Sequence, residues 1–168
     1  QDFTMVPKIL KLVNSAFFGL RATISNVDHA VVLLGTNILQ SAVVSISIIN
    51  AFPMESGSKD FHLNDFWVHA AEVSIISRYL AGKTKLAQPG DAFTAGLLHD
   101  MGKIILVQYF LELFENVYQS IKEGHQKSFF EAEKNQIGVT HQQIGEILAR
   151  KWQLPGTLVD VIRYHHEV

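Results

Sequence analysis

The sequence predicts an all-α protein, and three observations carry that prediction. Apolar residues recur at three- and four-residue spacing along almost the whole chain. Period-two alternation, with the turn dipeptides that join strands, is absent. Helix start and stop residues punctuate the periodic stretches at intervals that suit a bundle of roughly seven or eight helices.

Taken in order, Pro7 suits a first helical position, and Ile9, Leu10, Leu12, Val13, Ala16 and Phe17 extend that helix to a stop at Gly19. Ser25, with Asp28 three residues on, reads as the cap of a second helix through Val31, Val32 and Leu34 to Gly35. Thr36 opens a third, which runs to about Phe52 before Pro53. The segment MESGSKD then forms a polar loop around Gly57, too short for a domain linker. Asn64 caps a helix to about Ala81. Asp91, after Pro89 and Gly90, caps a long helix that contains GLLHDMGKIIL, Gly96 to Leu106. Thr140 and Gln143 form a capping box for a helix that ends before Leu154 and Pro155, and a last helix begins near Thr157.

At 168 residues, 48% hydrophobic and 18% charged, the chain suits one globular domain with a substantial core. The absence of cysteine excludes disulfides and thiolate metal sites and suits a reducing cytoplasm. The longest apolar stretches, SAVVSISIINAF and IILVQYF, are shorter than a membrane span, and no charged-then-apolar leader opens the chain. A soluble, cytoplasmic protein with no membrane partner is expected. The formal charge is −2, and no Lys or Arg lies between Ala22 and Ser58, which argues against a nucleic-acid partner. The helices joined at LLGTN have the outline of a helix-turn-helix, but the second, ILQSAVVSISIIN, carries no cation to meet phosphate or guanine. The run FFGL reads as core for the same reason. Beginning at Gln1 without Met and stopping two residues after His166, the chain reads as an excerpt of a longer protein.

Chemistry concentrates in GLLHDMGKIIL. His99, Asp100 and Lys103 fall on adjacent parts of one helix face, among Phe93, Leu97, Leu98, Ile104, Ile105 and Leu106. Charges in such surroundings need a partner, a metal or a solvated cleft. Other helices aim imidazoles inward. His69 falls on the stripe Phe66, Ala70, Val73 and Leu80, with Asp65 one turn before it. His141 lies one turn before Ile144 on the face shared with Leu148 and Trp152, and His165 and His166 lie one turn beyond Val161 and Ile162, inward with Leu158. The candidate metal ligands are therefore His69, His99, Asp100, His141, His165 and His166, a donor set that suits divalent iron, manganese or zinc. The competing reading is a hydrogen-bonded ion-pair network in which Lys103 bridges Asp100 and fixes helix register. His29, His62 and His125 sit on polar turns or beside caps and read as surface residues. No Gly-rich phosphate loop, and no Ser or Cys nucleophile next to a base, is evident.

The order His69, His99–Asp100, His141, His165–His166 resembles the HD superfamily, whose helical fold holds a metal site and typically supports phosphoester hydrolysis. KLVNSAFFGL, ISNVDHAVVLLGTNIL, FWVHAAEVS, AGLLHDMGKIIL, THQQIGEILARKWQLP and IRYHH together are similar to the HDOD domain family of bacterial signalling proteins. That resemblance covers nearly the whole chain. It implies an HD-domain-like multi-helix bundle, with HDOD-specific helices over residues 1–56 and an HD-like core over 60–168. It also implies a signal-transduction role through contacts with a signalling protein partner, attached regulatory domains or a nucleotide ligand. HDOD domains are generally regarded as non-catalytic relatives of HD-GYP phosphodiesterases. In those enzymes the six candidate ligands would hold metal and Lys103 would contact a substrate phosphate. Asp65 stands where that family tends to have Glu, no GYP motif follows the paired histidines, and the chain ends before a later carboxylate ligand. Two functions remain open: a non-catalytic regulatory module, and a metal-dependent phosphohydrolase acting on a nucleotide or cyclic dinucleotide through Asp100 and Lys103.

Overall fold

The computed structural model describes residues 23–36 and 61–167, together with Val6, Pro7, Leu10, Asn14, Leu39, Val43 and Ser47. Helix is the only extended regular structure among the described residues, as the apolar spacing predicts. In chain order, α1 spans Val27–Leu34, α2 Leu63–Thr84, α3 Pro89–Leu98, α4 Met101–Tyr109, α5 Leu111–Lys122, α6 Phe129–Gln136, α7 His141–Lys151 and α8 Gly156–Tyr164. The predicted stop at Gly19, the end of the third helix near Phe52 and the loop around Gly57 lie outside the described residues.

Several boundaries differ from the sequence expectation. Asn26, one residue after Ser25, caps α1, its side chain accepting from the His29 N–H at 2.7 Å. The α2 ladder already starts from the His62 carbonyl, which accepts from Phe66 N–H at 3.1 Å, so Asn64 and Asp65 lie inside the first turn rather than at a cap. Asp91 likewise falls in the first turn of α3 behind Pro89, where a carboxylate complements the helix dipole without capping. The capping box at Thr140 and Gln143 forms as expected, and α1 ends at Gly35 with φ 83°, a conformation that favours glycine.

The chain divides into two compact units, residues 1–53 with 73–97 and residues 54–72 with 98–168. In the first, Ile24, Ala30 and Leu39 form a buried cluster against Leu10, Val31, Leu34 and Val43. Asn14 ties the segment before α1 to this cluster. Its amide nitrogen donates to the Ile24 carbonyl at 2.7 Å while its carbonyl oxygen accepts from the Ile24 N–H at 2.6 Å. The Asn of KLVNSAFFGL thus satisfies both backbone groups of a residue that is 1% exposed.

In the second unit, Leu106, Val107 and Phe114 form the core, with Phe61, Leu111, Tyr118, Phe129, Ile137 and Ile144 packed around them. Phe61 meets Phe114 edge to face at 5.3 Å, and Phe129 stacks on it at 5.7 Å. Helices α4 and α7 cross backbone against backbone. A Cβ on Gly102 would stand 1.9 Å from the His141 carbonyl oxygen, and one on Gly145 would stand 2.7 Å from Ile162 Cγ2. This crossing explains why the buried face of α7 is His141, Gln142, Gly145 and Ala149, whereas Ile144, Leu148 and Trp152 are only partly buried. Close approach selects small residues, so the large apolar side chains turn to the flanks. On α8 the buried residues are Leu158, Val159 and Ile162, and Val161 is exposed. The crossing sets the chain just before α4, which holds Asp100, beside His141, the first residue of α7.

Candidate metal centre

GLLHDMGKIIL is two helices rather than one. α3 ends at Leu98, His99 and Asp100 form a turn, and α4 starts at Met101. Asp100 has φ −96° and ψ 8°, the sparsely occupied bridge region, and its side chain makes no capping bond. The apolar periodicity runs unbroken through the turn, so no stop signal marks it. At this turn the two oxygens of the Asp100 carboxylate face two different sets of side chains.

Around Oδ1 stand His141 Nε2 at 3.3 Å and His165 Nε2 at 3.5 Å, and these nitrogens are 3.2 Å from each other. His166 supplies a further nitrogen within 4.8 Å of this group. The hydrogen bonds on the far sides of the rings determine what meets in the middle. His141 Nδ1 lies 2.6 Å from Glu133 Oε2, and His165 Nδ1 lies 3.0 Å from the Ile162 carbonyl oxygen. A carbonyl and a carboxylate can only accept, so both Nδ1 atoms carry protons and both Nε2 atoms of the neutral rings present lone pairs. Two lone pairs and a carboxylate oxygen therefore converge, and Asp100 Oδ1 has no hydrogen-bond partner among the described residues. Only a cation or an added proton reconciles three acceptors at such distances. The separations fit a metal ion: ligands bonded at ~2.1 Å stand ~3.0 Å apart in octahedral and ~3.4 Å apart in tetrahedral geometry. Imidazole and carboxylate donors suit zinc, iron or manganese.

Around Oδ2 the arrangement differs. Lys103 Nζ donates to it at 2.7 Å, with His99 Nε2 at 3.3 Å and His69 Nε2 at 3.5 Å. The Lys103 ammonium also lies 5.2 Å from the Phe129 ring centre, and its side chain is 16% exposed. His69, expected to face the core, is half exposed with its side chain at 53%, and Leu80 of the same predicted stripe is exposed as well. His69 and Leu80 are eleven residues apart, about three helical turns, so they share one side of α2, at the edge of the buried face that carries Phe66, Ala70, Ser74 and Ala81. His69 nevertheless reaches Oδ2 with its ring nitrogen.

Burial pushes the Asp100 carboxyl up, but the contact with His99 and the Lys103 charge outweigh it and hold the group well below the usual carboxylate range. Burial pushes His141 below its ordinary value, opposed in part by its bond to Glu133. His69 is lowered by burial against the pull of Asp100. His166 is lowered to about 4 by burial and by the neighbouring His165, His141 and Lys103. Neutral imidazoles beside an ionised carboxylate are the protonation states that metal binding requires.

The five candidate ligand histidines and Lys103 thus come together around Asp100, with His166 exposed rather than turned inward as expected; His29, His62 and His125 are exposed as well. Sequence reasoning missed Glu133, which is 0% exposed and bonds to His141. It sits in EAEKNQ, a polar run with nothing to separate it from the exposed Glu131 two residues earlier. Only its helical offset from Phe129 and Phe130 would have hinted at burial.

An uncharacterized protein of Treponema pallidum is 28% identical over 178 residues, covering 100% of this chain and 32% of its own length. The crystal structure of an HDOD domain protein with unknown function from Geobacter sulfurreducens matches with TM-score 0.82 and 28% identity, over 100% of this chain and 55% of that one. A candidate phosphohydrolase from Shewanella amazonensis matches with TM-score 0.80 and 30% identity, over 99% of this chain and 57% of that one. A candidate signal transduction protein from Marinobacter aquaeolei shares the fold, with TM-score 0.83 at 23% identity, over 99% of this chain and 37% of that one. The chain thus spans about a third of the Treponema protein and little more than half, at most, of these solved chains. The HDOD domain pattern matches residues 1–168, and the chain belongs to the HDOD domain family.

Proposed function

We propose that this chain is a regulatory HDOD domain of a bacterial signalling protein, working in the cytoplasm through contact with a signalling partner or an attached domain. In this reading one divalent ion, held by Asp100, His141, His165 and His166, organises the surface that the partner reads, and no substrate is turned over. One observation carries the non-catalytic choice. Lys103, which in an enzyme would meet a substrate phosphate, is spent on Asp100 Oδ2 at 2.7 Å. It neutralises the oxygen that a second, bridging ion would need, and its charge repels a cation from the His69 and His99 side. A bound ion would supply Lewis acidity at the Oδ1 side; His141 and His165 would hold it through their Nε2 atoms, and Asp100 would offset its charge.

A second reading, a one-metal phosphohydrolase acting on a nucleotide or cyclic dinucleotide, is favoured by the half-exposed His69, which leaves the Oδ2 side open to a solute. It is also supported by the likeness to the Shewanella candidate phosphohydrolase. Elemental analysis of full-length protein purified without chelator, with turnover assays on cyclic di-GMP and nucleoside monophosphates, separates the two. We expect about one equivalent of metal, as the single donor-poor triangle implies, and no turnover. Turnover that disappears in Asp100→Ala would replace the regulatory reading with the hydrolase.

A further inference from the structure

Glu133 is an unusual residue to find where it is. It lies on α6, away from the sequence motifs that mark the metal centre, and is 0% exposed. Its Oε2 accepts two hydrogen bonds from one residue, His141, from the backbone N–H at 2.8 Å and from Nδ1 at 2.6 Å. Its Oε1 is buried with no hydrogen-bond partner among the described residues. Ser128 fixes the start of α6, accepting from the Glu131 N–H at 3.2 Å, and Thr140 fixes the start of α7 through its capping box. Two capped helix starts therefore hold the carboxylate and the imidazole in register.

A neutral amide could accept the same two bonds at a smaller desolvation cost, so hydrogen bonding alone does not account for a buried anion here. The charges around His141 do. Asp100 and Glu133 are buried carboxylates, Lys103 is the ammonium facing Asp100, and a neutral His141 lies between them, which leaves one negative charge in excess. A divalent ion at His141 Nε2 reverses that excess.

Building on the metal-binding reading above, we infer that Glu133 is a positioning residue for the metal. Its carboxylate holds His141 as the Nδ1–H tautomer, aims the Nε2 lone pair at the ion and strengthens it as a ligand. Glu133 touches neither ion nor substrate. It acts through the ring it orients, as acceptors behind ligating histidines do in general, where their loss costs about 10–100-fold in metal affinity.

The test uses the full-length protein, Glu133→Gln, Glu133→Ala and titration calorimetry with Mn²⁺ or Zn²⁺ alone. It adds ¹H–¹⁵N spectra of the histidine rings of the metal-free wild type. We expect Glu133→Gln, which keeps the shape and removes the charge, to weaken metal binding by about 10–100-fold while the metal-free protein melts no lower than wild type. A merely structural acceptor would give the opposite pair of results, a lower melting temperature and unchanged affinity, and would overturn the inference. The spectra decide independently of metal and of whether the Ala variant folds. His141 protonated at Nδ1 in the wild type supports the positioning role, and His141 protonated at Nε2 alone overturns it. If wild type binds neither ion but His141 is the Nδ1–H tautomer, the metal-binding reading fails and the orientation of the ring by Glu133 stands.

Discussion

The two oxygens of Asp100, on one carboxylate, live in different chemistries. Oδ1 faces His141 and His165, whose outer nitrogens are already engaged by Glu133 and the Ile162 carbonyl, so that only lone pairs meet it. Oδ2 faces an ammonium and two imidazoles, one of them half exposed. The first side lacks a positive charge and the second already has one. Proximity of ligand-type residues is the same on both sides, and each side forms a group compact enough to hold an ion. What separates them is the direction of the protons, which is fixed by residues one shell further out. Residue types alone do not distinguish the two groups; the unpartnered Oδ1 and the ammonium on Oδ2 do.

The largest expected effect removes both sides at once. Asp100→Ala leaves Lys103 without its carboxylate in a largely buried position, and breaking a buried pair from one end costs about 3–5 kcal/mol. Urea unfolding of the metal-free protein would measure it, and an unchanged midpoint would mean that Lys103 escapes to solvent and that the Oδ2 side is wet. The same variant should take up no metal.

A narrower cut separates the sides. His165→Ala removes one corner of the donor-poor triangle and should weaken Mn²⁺ or Zn²⁺ binding by at least tenfold, on the order of the loss of a ligand. His69→Ala, on the side already neutralised by Lys103, should change the same affinity by less than about threefold, within the scatter of an exposed polar contact. Equal losses in calorimetric titrations would abolish the distinction between the two oxygens. Lys103→Met sharpens it from the other direction. Without the ammonium, Asp100 offers its full charge, so metal binding should tighten by about threefold or more, the low end of a screened charge interaction at this range. Looser binding would show instead that Lys103 holds Asp100 in place for the ion.

Much of this was legible in the residues, and the rest was hidden for identifiable reasons. The helical class, the capping box at Thr140 and Gln143 and the convergence of His69, His99, Asp100, His141, His165 and His166 follow from spacing and from the family resemblance. The turn at His99 and Asp100 does not, because α3 and α4 bury the same kind of face and the apolar period passes through without a break. The buried face of α7 was assigned to its large residues, since nothing local reveals that Gly102 and Gly145 bring two backbones together. Glu133 escaped notice because burial of a charge depends on a partner eight positions along the chain and on another helix. Both misses concern contacts between elements, which periodicity within one element cannot encode.

The last effect is diagnostic of the Oδ1 side and appears in the pH dependence of the metal-free protein, where the exposure of His166 to solvent screens it. His166 has its folded pKa lowered from 6.5 to about 4, first by burial and then by its neighbours His165, His141 and Lys103, against the pull of Asp100. His141 is lowered in the same direction, chiefly by burial. A base whose pKa falls on folding binds fewer protons folded than unfolded throughout the interval between the two values. Stability therefore rises with pH across that interval, is complete above the unfolded value and is lost as pH falls toward the folded one. Asp100 adds nothing to this window, because its lowered pKa makes its own contribution fade only below the ordinary carboxylate range. Urea midpoints should accordingly be flat above about pH 6.5 and decline toward about pH 4. His166→Gln should reduce the slope, whereas His69→Gln, on the Oδ2 side, should reduce it less. A slope that survives His166→Gln intact and disappears with His69→Gln would place the titrating charge at Oδ2 and reverse the assignment of the two sides.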